Sequence, residues 1–344
     1  MPPSSIPVHQ VTSYTCNTWS SFISGVEDEL SLYKIEATRL LNMSVSENTR
    51  KSYDGSMLAF KQFCSNLEMP FLPSTTEAIA LYISKLSLDG KSHNSIDTYL
   101  SAISFFHKLY GHQDPTATFI IAKMREGCRR DRPRKDTRLP ITPFVLTKVM
   151  GALPLVTESK YEFAVFRAMY LLAYAAFMRV SEITVPSKTL PYSQERTLMF
   201  EDLLHLSATK CNLRLKVTKT NQVGQPISLQ LSSLAMQNPL CPVSALRTYI
   251  NVRPSGVMGP LFIHLDHSPV TRYQFSSVLS KALRHCNIPE FDRYKSHGFR
   301  IGACSAASMA EIPQSEIKTF GRWSQRSTAY KRYIRIPTHK LFPH

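Results

Sequence analysis

Residues 161–183 read YEFAVFRAMYLLAYAAFMRVSEI, and the fold turns on them. From Ala168 to Met178 the chain passes through 11 apolar residues without a break, with Arg167 before them and Arg179 after. A bilayer span needs about 20 such residues, so the run predicts a helix at the centre of a folded core. It closes on Phe177-Met178-Arg179-Val180-Ser181-Glu182-Ile183, which leaves a guanidinium at the end of the most buried helix. An unpaired charge in such a place is costly, so Arg179 needs an anion. Glu182 could serve as a structural ion-pair partner, and a bound ligand is the other reading.

Upstream of this helix, Thr142-Pro143 reads as a cap followed by a first-turn proline. Before it lies a basic linker, residues 131–141, punctuated by Pro133 and Pro140, with the domain boundary near residue 135. The preceding stretch, 46–130, carries successive stripes at helical spacing. Tyr53, Met57, Phe60, Cys64 and Leu67 form the first. Ser74-Thr75-Thr76-Glu77 reads as a capping box for a second helix, which faces inward with Ile79, Tyr82, Ile83 and Leu86 and stops at Asp89-Gly90. Ile96, Tyr99, Leu100, Ile103, Phe106 and Tyr110 form a third, and Asp114-Pro115 opens a fourth helix towards Arg125. Residues 1–45 lack sustained periodicity and carry Pro2, Pro3 and Pro7, which predicts a poorly ordered tail.

Downstream the period changes. Leu213, Leu215 and Val217 alternate with Arg214, Lys216 and Thr218, and Ile227, Leu229 and Leu231 alternate beyond Asn221-Gln222-Val223-Gly224, which predicts a β-hairpin. Helices resume over 242–252, 271–285, 297–309, 315–319 and 327–335. The expected fold is mostly α with a small β-sheet: an all-α domain at 46–130, then an α+β domain at 142–344.

Lys and Arg number 41 against 25 Asp and Glu, a surplus of 16. Lys123 to Arg138 holds eight cations and three acids, and Lys318 to His344 holds seven cations and no acid. Charge concentrated in this way favours a polyanion such as nucleic acid, although a solvated basic face gives the same count. The seven cysteines, Cys16, Cys64, Cys128, Cys211, Cys241, Cys286 and Cys304, form no C-x-x-C pair, so a zinc ribbon or disulfide framework is not indicated. Met1 to His9 lacks the charged start and apolar stretch of a secretory signal, which predicts a reducing compartment. No membrane partner is expected.

Three further features could carry chemistry. Lys219 lies at the hairpin tip, where a long ammonium can reach a phosphate or a leaving oxygen, although lysine in a polar turn is usually only solvated. Lys216, on the strand face opposite Leu215 and Val217, should point to solvent or to DNA. His297 and Arg300 stand three apart, so on a helix they share a face and can grip one phosphate. Trp323 and Tyr333 follow in a basic segment, which completes a set able to hold and attack a phosphodiester. Clustered Asp and Glu that would hold magnesium are lacking, and no cofactor is expected.

Taken in order, Arg179 with Glu182, Lys219, His297 with Arg300, Trp323 and Tyr333 resemble the signature of the tyrosine recombinases, the phage-integrase and Cre-like family. The likeness by motif covers roughly 140–340, while 46–130 resembles that family's core-binding domain by architecture. Leu139-Pro140-Ile141-Thr142-Pro143, His297 to Ala303, Gly321-Arg322-Trp323 and Tyr333-Ile334-Arg335 look most like recombinases of DIRS-like retrotransposons.

The resemblance implies a DNA strand-exchange enzyme that forms a 3′-phosphotyrosyl bond without metal or ATP. Tyr333 would be the nucleophile, Lys219 the acid for the leaving 5′ oxygen, and Arg179, Arg300, His297 and Trp323 the phosphate clamp, with Glu182 in support. Arg129, Arg130, Arg132, Arg134, Lys135, Arg322, Lys331, Arg332 and Arg335 would contact DNA. The chain would act as a homo-tetramer on double-stranded DNA, a monomer being compatible with the free state, in the nucleus of a eukaryote or otherwise in the cytoplasm. A type IB topoisomerase-like activity and a decayed DNA-binding protein are the alternatives. One departure stands out: Trp323 to Tyr333 spans ten residues where the family has eight or nine, and Tyr330, at seven, is the rival nucleophile.

Overall fold

Side-chain caps set many of the helix starts in the computed structural model, which describes residues 29–132, 136–189, 191–216, 226–235 and 238–335. The chain divides into two compact units, Met1–Asp136 and Thr137–His344. No helix among the described residues is long and apolar enough to cross a membrane.

The first unit holds α1 (Glu29–Met43), α2 (Glu47–Asn66), α3 (Thr76–Leu88), α4 (His93–Leu109) and α5 (Phe119–Asp131). Ser46, Thr75 and Ser92 each accept the amide three residues on, from Thr49, Ala78 and Ser95, which satisfies a donor that a helix start leaves bare. Phe60 and Cys64 of α2 close on Ile79, Tyr82 and Ile83 of α3, Leu100 and Ile103 of α4 and Ile121 of α5.

Three details of this unit differ from the sequence reading. The cap of α3 is Thr75; the amide of Ser74 is held by His107 Nε2. Asp114-Pro115 opens only a 3-10 turn, Pro115–Ala117, because Asp114 Oδ1 takes the Thr116 amide two residues on and winds the chain tightly before α5 starts at Phe119. Residues 29–43, expected within a tail, form α1. Its Leu32, Tyr33 and Ile35 are exposed, so it makes no buried stripe for periodicity to reveal.

In the second unit α6 (Pro143–Val156), α7 (Lys160–Ala175), α9 (Pro242–Val252), α10 (Arg272–His285) and α11 (Gly298–Met309) enclose the larger core, with the short α8 (Val180–Ile183) after α7 and α12 (Gln314–Phe320) after α11. The apolar run from Ala168 to Ala173 is buried, as its composition predicts. β2 (Lys210–Leu215) and β3 (Ile227–Ser232) are antiparallel, with Leu213 opposite Leu229 and Leu215 opposite Ile227. The tip that joins them, with Lys219 and Asn221–Gly224, lies outside the described residues, as do Arg134 and Lys135.

A further strand, β1 (Leu203–Leu206), pairs with β2. Its register slips between Leu203 and His205, which breaks the period of two that would have announced it. Lys216 is not left to solvent or DNA: its ammonium pairs with Glu201 at 2.6 Å and lies 3.5 Å from the buried Asp202. A carboxylate taken out of water draws in the cations it can reach.

Residues 139–141 run against the start of α11. The Ile141 amide donates to the Gly298 carbonyl, and a Cβ at Gly302 would lie 1.9 Å from the Ile141 carbonyl oxygen. Glycine alone permits that approach. The close contact fixes the helix that carries Arg300. The expected helix over 327–335 is instead a 3-10 turn, Ala329–Tyr333. Ser305 of α11 draws it in, its hydroxyl donating to the Tyr333 carbonyl and accepting the Arg335 amide.

Candidate active site

Two helix ends build the site. At the end of α7 the amides of Phe177 and Met178 donate back to the carbonyls of Tyr174 and Ala173, and Phe177 sits at φ 50°, in the left-handed region. At the end of α12 the amides of Arg322 and Trp323 donate back to Thr319 and Lys318, with Arg322 at φ 56°. Glycine usually takes that position, because a side chain there meets the following carbonyl. Gly321 stands one place earlier, where a Cβ would lie 1.7 Å from the Trp323 ring, so its bareness lets the indole fold back.

The carbonyls freed at these ends are met by arginines. Arg300, 1% exposed, donates to the carbonyls of Phe177 and Gly321. Arg322 donates to the Ala176 carbonyl at 2.9 Å and the Phe177 carbonyl at 3.2 Å, and to Glu182 Oε2 at 2.7 Å. Arg179, at the start of α8, reaches Glu182 Oε1 at 3.0 Å through Nη1, and its amide donates to Glu182 Oε2 at 2.9 Å. Among the described residues, Arg179 and Arg322 thus share the Glu182 carboxylate, and Arg300 joins them through the Phe177 carbonyl that it shares with Arg322. Burial, followed by the charges of Arg179 and Arg322, holds Arg300 below the ordinary arginine range, at about 9. It stays charged at neutral pH, and the cluster is short of negative charge, which suits an incoming anion.

The aromatic side of the site is continuous with this cluster. The Arg300 guanidinium lies 4.2 Å from the centre of the Trp323 ring and 5.5 Å from that of Tyr333. The Trp323 and Tyr333 rings are 5.0 Å apart. His297, which caps α11, brings Nε2 to 2.9 Å from the Tyr333 hydroxyl. Tyr330 is buried, and its hydroxyl donates to Gln314 Oε1.

The model of the phage integrase family matches residues 148–339, more than half of the chain. The chain belongs to that family. It is a tyrosine recombinase, an enzyme of DNA strand exchange. An integrase/recombinase xerD homolog of Selenomonas ruminantium is 22% identical over 340 residues, 92% of each chain. Two solved structures share the fold. The XerH site-specific recombinase bound to palindromic difH substrate has a TM-score of 0.60 at 13% identity, covering 96% of this chain and 92% of that one. The Tn1549 transposon integrase in complex with circular intermediate DNA has a TM-score of 0.50 at 14% identity, covering 95% and 96%.

In this tyrosine recombinase the fold joins His297, Tyr333, Trp323 and Arg300 in one run of contacts and Arg179 with Glu182 in another, the two linked through Arg322 and the Phe177 carbonyl, and Lys219 lies outside the described residues. Arg129, Arg130 and Arg132, near the end of α5, are exposed, as are Lys331 and Arg332. Arg130 pairs with Glu126, and Arg335 is half-buried with its guanidinium on the Arg332 carbonyl. Among the described residues expected to contact DNA, Arg322 is the exception. It is buried, because the carbonyls left open by α7 and the Glu182 carboxylate together outcompete water for its fork of donors. Its basic surroundings in the sequence suggest surface charge. The signal to the contrary is its place between Gly321 and Trp323, at the end of a helix.

Proposed function

We propose that this recombinase cuts and rejoins double-stranded DNA through a covalent 3′-phosphotyrosyl link to Tyr333, in the service of mobile-element integration. The observation that carries the reading is the 2.9 Å approach of the Tyr333 hydroxyl to His297 Nε2, beside the buried Arg300. Nucleophile, proton acceptor and cation are then contiguous.

Arg179 and Arg300 would neutralise charge that builds on the non-bridging oxygens as phosphorus becomes pentacoordinate, with Trp323 adding a neutral donor. With Nε2 unprotonated, the phenol donates to His297. On attack that proton passes to the imidazole, the phenol oxygen bonds to phosphorus and the bond to the 5′ oxygen breaks. Lys219, in the role the resemblance gives it, protonates the departing oxygen. Rejoining reverses each step: a 5′-hydroxyl of a second strand gives its proton to Lys219 and attacks phosphorus, and Tyr333 leaves with the proton from His297. One ester replaces another, so no energy source is consumed.

Exposed Arg129, Arg130, Arg132, Lys331 and Arg332 support backbone binding, and the linker's Arg134 and Lys135 belong to the same basic stretch. Affinity of this kind falls steeply with salt. The transposon integrase among the structural neighbours supports the mobile-element role. A tetramer on DNA follows from the family resemblance.

The test is a nicked suicide DNA substrate, from which the severed strand end diffuses away. Wild type is expected to become covalently attached, with mass spectrometry placing the link on Tyr333. Attachment at Tyr330 would move the nucleophile. Relaxation of supercoiled DNA without exchange between two sites would favour a topoisomerase-like activity, and tight binding with no covalent product a decayed enzyme.

A further inference from the structure

We infer that Arg322 is a positioning residue for strand cleavage, acting through Glu182 on Arg179. The inference rests on the reading that Arg179 grips the scissile phosphate.

Several helices of this chain end on a non-glycine residue in the left-handed region, among them Glu68, Asn287 and Glu311, whose side chains are exposed. Arg322 takes the same backbone conformation with its charged side chain turned inward, 5% exposed. Burying an ion pair seldom adds stability over apolar residues of similar size. What the pair adds is position.

The Glu182 carboxylate carries two tasks. Oε1 holds Arg179 Nη1 at 3.0 Å, while Oε2 takes the Arg179 amide at 2.9 Å and the Arg322 guanidinium at 2.7 Å. Arg322 is in turn fixed by the carbonyls of Ala176 and Phe177, at the end of the most buried helix. The carboxylate is therefore anchored to the core, and its orientation passes to Arg179. Because its negative charge is shared between two guanidiniums, Glu182 aims Arg179 without cancelling the charge the phosphate needs. The Phe177 carbonyl also accepts from Arg300, so both arginines of the clamp are referred to one backbone stop. Lysine at 322 would keep the charge but has no planar fork with which to span three acceptors.

The experiment is single-turnover cleavage of suicide DNA at saturating enzyme, with rate and final covalent yield measured separately from DNA affinity, for Arg322→Lys, Arg179→Lys and the double variant. Arg322→Lys is expected to slow cleavage about 100-fold, as a small misplacement of a clamp does. Yield is unchanged and affinity stays within about threefold, because remote contacts dominate binding. Added to Arg179→Lys, the same change costs less than about threefold more, since the residue it acts through is already altered.

Arg322→Lys at the wild-type rate overturns the inference, as does equal slowing in both backgrounds, or a lowered yield at unchanged rate, which is the mark of a merely structural role. Arg179→Lys at the wild-type rate overturns instead the reading beneath it. Should Arg322→Lys fail to fold, Glu182→Asp shortens the carboxylate and leaves the carbonyl bonds of Arg322 in place. It is expected to show the same loss of rate, and a wild-type rate there also overturns the inference.

Discussion

The Tyr333 hydroxyl stands 2.9 Å from His297 Nε2, on a turn whose other tyrosine is committed elsewhere. Three residues earlier Tyr330 leans on the same Trp323 ring, at 6.4 Å between centres, but is buried and donates to Gln314. In a 3-10 turn residues three apart lie on one side. The two rings therefore share a wall while their hydroxyls part. The widened interval after Trp323 accordingly leaves the site with a phenol at its histidine.

Tyr333→Phe is expected to abolish covalent attachment to suicide DNA with its thermal stability nearly unchanged. Tyr330→Phe should keep the attachment and lose about 1 kcal/mol of stability, the worth of one hydrogen bond. Denaturant melts run beside the trapping assay separate the two.

Arg300→Ala should eliminate cleavage while much of the DNA affinity persists, because backbone contacts elsewhere supply most of it. It also leaves the carbonyls of Phe177 and Gly321 without the donor they have now, so a stability loss of about 2 kcal/mol accompanies it. Filter binding and urea unfolding of one preparation test both halves. Full cleavage by this variant would remove Arg300 from the clamp.

Gly302→Ala is expected to destabilise the protein by about 3 kcal/mol, since overpacking against a backbone carbonyl has no flexible neighbour to absorb it. Calorimetry checks this. A transition within a degree of wild type would mean that residues 139–141 part readily from α11.

His107 gives the first unit a pH dependence. Its Nε2 accepts the Ser74 amide at 2.9 Å and its Nδ1 lies 2.8 Å from the Ile103 carbonyl, so the buried ring is satisfied as the neutral tautomer. Burial lowers its pKa, against the pull of Asp114 and with a push from His112. A lowered histidine favours folding above the unfolded value of about 6.5, and that contribution is lost as pH falls below it. The urea midpoint of the wild type should drop between pH 7 and 5 by more than that of His107→Gln. Equal drops would refute the assignment.

Much of this was legible because it is local or periodic. The 11 apolar residues before Arg179 could only be core, and His297 and Arg300 advertise a shared face by their spacing. Arg322 was not legible. A charge in a basic segment reads as surface, and only the meeting of α7 and α12, far apart in sequence, supplies the acceptors that draw it inward. β1 and α1 were hidden for the opposite reason, since a slipped register and an exposed helix leave no pattern in hydrophobicity.

The left-handed helix stops separate two kinds of position for anyone wishing to make this enzyme hardier. At Glu68 and Glu311, glycine would relax the backbone and remove only an exposed carboxylate, a gain of about 0.5–1 kcal/mol at each. The same exchange at Arg322 would ease the main chain just as well while taking away the fork that reaches Glu182. There the relief is outweighed, because the buried Glu182 carboxylate and the carbonyls of Ala176 and Phe177 lose a donor together. A screen scored on heat resistance would therefore keep glycine at 68 and 311 and reject it at 322.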